Sequence, residues 1–189
     1  AGADAALAAA PDRARLEAIV AEADLGGRNP GGLVGRFLSL VAIAWSLFQL
    51  WFASPLPFML GFGVLNDTQA RAVHLSFALL LGFLAFPARA RSPRDRVPLV
   101  DWALAVVAVS AVLYLIVFYA ALAQRPGLPT RVDIIVAVVG IVLLLEASRR
   151  AEGPWMPALS IIFLAYVFLG PWLPGLIAHK GASVSRISG

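Results

Sequence analysis

The sequence predicts an all-α, polytopic membrane protein with about five transmembrane helices and a cytoplasmic amino terminus. Three observations carry this. The 189 residues are 60% hydrophobic and 14% charged, where soluble domains average about 45–50% and about 25%. Charges are absent from runs long enough to cross about 30 Å of hydrocarbon, which takes roughly 20 apolar residues in a helix. The basic residues also fall unevenly between alternate loops. A tightly packed soluble bundle is the competing fold, but five apolar runs leave almost no polar helix face for water. The runs are too long for single strands and lack the period-two alternation of a β-barrel.

Taken in order, residues 1–29 form a cytoplasmic or interfacial amphipathic tail. Arg13, Arg15, Glu17, Glu22 and Asp24 interleave there with Leu16, Ile19 and Val20, a modest helical pattern. With no continuous apolar core the tail is not a signal peptide, and the Gly-rich stretch from Gly26 to Gly32 ends it. The first span is expected at Leu33 to Phe52, stopped by Pro55 and Pro57. The second runs from Ala72 to Ala88, after Asn66 with Gln69 three residues on, which reads as a capping box. The third runs from Trp102 to Gln124, behind Pro98 and Asp101. The fourth runs from Val132 to Ala147, behind Thr130 and Asp133, a second box. The fifth covers about Met156 to Leu173. Acids in a first helical turn complement the helix dipole, which accounts for Asp101 and Asp133.

Orientation follows from the basic residues, fourteen Arg and one Lys. Arg13, Arg15 and Arg28 precede the first span, and Arg36 sits in its first turn. Arg89, Arg91, Arg94 and Arg96 lie between the second and third, and Arg149 and Arg150 follow the fourth. The intervening loops carry Arg71, Arg125, Arg131, Lys180 and Arg186. Ten against five places the amino terminus inside and the carboxyl end outside. Trp51, Trp102, Trp155 and Trp172 fall at span ends, where interfacial anchors belong. The Arg89–Arg96 run suits orientation and anionic-lipid contact rather than nucleic acid. Residues 54–65, apolar between Pro and Gly, are expected to lie in the outer headgroup region or to dock a protein.

Little chemistry is visible. With no cysteine there is no disulfide, thiolate metal site or cysteine nucleophile. No HExxH, P-loop lysine or dinucleotide fingerprint occurs, and His74 and His179 lack the acidic partners of a metal site. No enzyme activity and no cofactor are expected. Glu146, near the cytoplasmic end of the fourth span, is the ionisable residue of most interest. Arg149 and Arg150 follow at i+3 and i+4, so an intrahelical ion pair is the expected structural role. The functional alternative is a contact with a partner helix or an ion path.

Several segments resemble a known family. Trp45 to Trp51, Ala53 to Pro57, and Asn66-Asp67-Thr68 with Arg71 and His74 are similar to the start of the fused permeases of TRAP transporters (tripartite ATP-independent periplasmic), TAXI branch. Arg91 to Pro98, Leu143 to Arg150 and Phe163 to Gly181 resemble later parts of it, so the likeness runs in order from about Leu25 to Ser188. It implies a membrane component of an ion-gradient-driven symporter for organic acids in the bacterial inner membrane. Its implied partners are a large permease domain, fused or separate, a periplasmic substrate-binding protein and the lipid bilayer. Residues 30–128 then correspond to a small scaffold-like membrane domain, and 129–189 to the start of the large permease domain. Substrate and coupling ion, sodium being the expected one, would bind beyond Gly189. The chain, beginning at Ala1 and ending at Gly189, is expected to be a fragment of a longer permease. The alternative is a stand-alone membrane anchor or assembly protein without transport. A reading frame that continues past Gly189 into further apolar helices separates the two.

Overall fold

A computed structural model describes residues 27–89 and 92–169. The tail helix expected before residue 27, and Trp172, His179 and the end of the fifth span, lie outside the described residues. The described chain is all-helical: α1 (Gly32–Ala53), α2 (Leu56–Leu60), α3 (Asp67–Ala85), α4 (Leu99–Val117), α5 (Tyr119–Ala123), α6 (Arg131–Glu152) and α7 (Trp155–Leu169). Three of these, α1, α3 and α4, are long and apolar enough to cross a membrane. The described part of α7 has 15 residues. Helix α6 has 22 residues, with Arg131 and Asp133 at one end and Glu146, Arg149, Arg150 and Glu152 at the other.

Both capping boxes form. The Asn66 side chain accepts from the Gln69 amide at 2.8 Å while Gln69 accepts from the Asn66 amide at 3.2 Å. Thr130 and Asp133 exchange the same pair of bonds at 3.3 and 2.7 Å. Each box satisfies backbone N–H groups that have no partner in the first turn of a helix. For this reason α3 starts at Asp67, five residues before the apolar run expected from Ala72.

Helix α4, the expected third span, ends earlier than Gln124. It stops at Val117, because Phe118 leaves the helical region (φ −97°, ψ 13°), and α5 follows from Tyr119. Nothing in the local sequence breaks a helix there. The turn accompanies two contacts on its inner side: Tyr114 packs on Phe118 at 4.6 Å and bonds Asp133 across the bundle.

The core lies where α3, α4 and α6 meet. Leu79, Phe83 and Leu84 of α3 are fully buried against Ala105 and Ala108 of α4. Small residues set the approach of the backbones, as they do where helices pack in lipid. A Cβ on Gly82 would stand 3.4 Å from that of Ala147 on α6, and one on Gly140 would stand 3.8 Å from that of Ala111 on α4. Beyond the boundary expected at residue 129, α6 contributes Leu143 and Ala147 to this same core. In contrast α1 buries no residue. It leans on α3 through aromatic rings, Trp45 and Phe48 both meeting Phe77. Most of the apolar surface of α1 and α7 therefore faces outward.

Candidate functional site

The largest concentration of charge is inside one end of the bundle. Arg28 precedes α1, in the stretch expected to belong to the tail, yet it is folded into the body with its side chain fully covered. Its backbone amide donates to the Ala85 carbonyl and the Asn29 amide to that of Arg94. The Arg28 guanidinium donates to the carbonyls of Phe83, Leu84 and Pro93 and to Asp101 Oδ2 at 2.5 Å. Two of those carbonyls belong to the last turn of α3, where a cation suits the negative end of the helix dipole.

Asp101, in the first turn of α4, is the hub. Its second oxygen accepts from Arg150 of α6 at 2.8 Å, and both partners are buried. Arg150 lies over the Phe83 ring at 4.8 Å and also donates to Glu146 at 2.8 Å. Arg149 grips Glu146 with two bonds, 2.7 and 2.8 Å, and reaches the Ala88 carbonyl at 2.9 Å. Glu146, Arg149 and Arg150 thus meet as their spacing suggests. Their ion pair extends into a chain of three guanidiniums and two carboxylates. The unbalanced positive charge is met by backbone carbonyls of Phe83, Leu84, Pro93 and Ala88, whose charge-assisted bonds offset part of the desolvation cost of the guanidiniums. The helix dipole accounts for part of Asp101, but its main role was not visible in the sequence. The missing signal was Arg28, 73 residues away.

At the other end, Asp133 closes its capping box and takes two further bonds. Tyr114 donates at 2.5 Å and Arg125 at 3.3–3.4 Å. This ties the end of α4, the α5 connection and the start of α6. The Arg125 Nε is buried without a partner, so this clamp is looser than the first.

His74 sits on the α1–α3 seam. Its Nδ1 accepts from Trp45 Nε1 at 3.1 Å, since an indole only donates, and lies 3.3 Å from Gln49 Nε2. A cavity of about 430 Å³ beside it is lined by Gln49, Phe52, Arg71 and Asp67 among others. Arg71 and Asp67 pair with each other at 2.8 Å and are exposed. No cluster of three His, Asp or Glu that could hold a metal occurs among the described residues. Residues 54–65 present Phe58, Met59 and Leu60 outward, with Phe62 folded back onto Trp51 at 6.2 Å between ring centres.

No known family, curated protein or solved structure matches this chain.

Proposed function

We propose that this chain is the scaffold part of a TRAP-type secondary transporter, set in the bacterial inner membrane with its arginine-rich end in the cytoplasm. The observation that carries the scaffold reading is the Arg28–Asp101–Arg150–Glu146 network. It ties the approach to α1, the end of α3, the start of α4 and the end of α6 into one block. Its charges are spent on one another, so they hold helices together and do not line an open path. The outward faces of α1 and α7 are apolar, as a bilayer or a neighbouring membrane domain requires. The identity of that neighbour comes from the ordered likeness to fused TRAP permeases between Leu25 and Ser188, with α6 and α7 as the fourth and fifth spans. In this reading the chain braces a large permease domain. Organic-acid specificity and ion coupling belong to that domain and to a periplasmic binding protein.

The test is co-purification with a large permease, followed by uptake in proteoliposomes with and without the binding protein. Uptake that needs the added binding protein, and is lost when this chain is omitted, is the expected result. Uptake indifferent to the binding protein would remove the TRAP assignment. A chain that inserts and associates with other membrane proteins, yet supports no uptake, would leave the anchor or assembly reading.

A further inference from the structure

Helices α1 and α3 touch at Trp45, whose indole bonds His74 and stacks on Phe77. On the arginine-rich side of that contact they part, leaving a trough of about 620 Å³. Its walls are Leu38 and Ala42 of α1 and Ala78 and Leu81 of α3, and Trp45 lies at its far end. At its mouth it shares Gly35 and Ser39 with a second depression that includes Arg36. Gly35 fixes this mouth: a Cβ there would collide with the Pro30 carbonyl oxygen, so any side chain would push the approaching strand of chain off α1.

The dimensions select an occupant. From Gly35 to Trp45 a helix rises about 15 Å, half of the roughly 30 Å hydrocarbon core and so the depth of one leaflet. The charge selects its headgroup. Arg36, Arg89, Arg94 and Arg96 are exposed at this end, and the Asn29–Arg94 backbone bond holds their loop beside the mouth. Glu152 on the rim and Asp95 in the loop are the opposing charges. We propose that the trough seats one acyl chain of an anionic phospholipid from the leaflet at the arginine-rich end, its phosphate at Arg36. This rests on the bilayer placement above and is independent of transport.

Native mass spectrometry of the full chain, released from nanodiscs, tests it. The probes are phosphatidylglycerol, phosphatidylcholine with the same chains, and glycerol 3-phosphate as a free headgroup. One phosphatidylglycerol should be retained, about fivefold or more tighter than phosphatidylcholine, the ratio that one headgroup-facing arginine supplies. Ala42→Phe and Ala78→Phe fill the trough from opposite walls, outside the buried core. Each should abolish retention with an unchanged melting curve. Arg36→Gln should keep one lipid bound and erase the preference. Equal retention of the two lipids by the unaltered chain overturns the proposal, as does retention that survives both Phe variants. Glycerol 3-phosphate binding as tightly as the lipid would reduce the site to a phosphate contact and overturn the seated chain. Failure to enter nanodiscs would instead overturn the bilayer placement, and the proposal with it.

Discussion

Asp101 holds two buried guanidiniums at once, and that makes it the least replaceable side chain in the bundle. Taking ions out of water costs several kcal/mol each, recovered only while every partner is present. Asp101→Ala leaves Arg28 and Arg150 covered without their shared carboxylate. It should destabilise the fold by about 3–5 kcal/mol, read as a lowered denaturation midpoint in detergent. Glu146→Gln is the control. Its side chain is 28% exposed, and Arg150 keeps Asp101 without it. The loss should stay under about 1 kcal/mol, with expression and assembly intact. Equal losses in the two variants would contradict the hub assignment. The contrast shows what a sequence can disclose about such a site. The Glu146–Arg149–Arg150 cluster lies within one helical turn, so spacing alone brings it together. Arg28 and Asp101 are joined only by tertiary folding, and no periodicity links them. Arg28 looked like one of several loop arginines, and Asp101 like an ordinary first-turn acid.

The helices repeat this division between local and distant causes. Capping boxes are local, and Asn66-Asp67-Thr68-Gln69 and Thr130 with Asp133 announce them directly. Asn66→Ala should cost about 1 kcal/mol. Thr130→Ala should cost a similar amount, because Asp133 keeps Tyr114 when its own capping partner is lost. Thermal melting of each single variant measures both. The break at Phe118 is a distant effect: Val117 to Ala123 contains no Pro or Gly, and only the Tyr114–Asp133 link across the bundle marks the place. The last turn of α6 beyond the expected Ala147 has the same origin, since Arg150 bonds Asp101 of another helix. Helix crossings were hidden too, because a glycine in an apolar run looks like any small residue. At Gly82 it sets how near α3 comes to α6, a Cβ there standing 3.4 Å from that of Ala147. Gly82→Leu should overpack that crossing and cost about 1–3 kcal/mol, whereas Gly31→Ala, with nothing within 4 Å of its Cβ, should cost far less. Denaturation curves of the pair separate packing from the general effect of replacing a glycine.

Across the whole molecule the arginines serve two purposes at one end. Arg28 and Arg150 point inward to clamp helices and Arg149 braces Glu146 at the surface, while Arg36, Arg89, Arg94 and Arg96 stay outside. The network brings the start of α4 and the ends of α3 and α6 together at this end. The capping boxes, α2 and α5 therefore lie at the other, where Arg71, Arg125 and Arg131 are the basic residues among those described. Positive charge in short loops favours the cytoplasmic side, so the exposed arginines gathered at one end predict that this end faces the cytoplasm. Because the chain has no cysteine, single cysteines report that orientation without background. Asp95 is exposed in the arginine-rich loop, and Thr68 and Pro126 are exposed at the opposite end. In intact spheroplasts a membrane-impermeant maleimide should label Thr68→Cys and Pro126→Cys at once, and Asp95→Cys only after permeabilisation. Labelling of Asp95→Cys alone would reverse the chain in the membrane. Labelling of Thr68→Cys without Pro126→Cys would mean that α4 and α6 do not return to the side from which α3 begins, and would remove the antiparallel bundle as well. If the orientation is set by loop charge and not by the clamp, neutralising Arg89, Arg94 and Arg96 together should produce a mixed labelling pattern while the melting curve stays in place. Neutralising Arg150 should do the opposite, lowering the melting curve and leaving the labelling pattern unchanged.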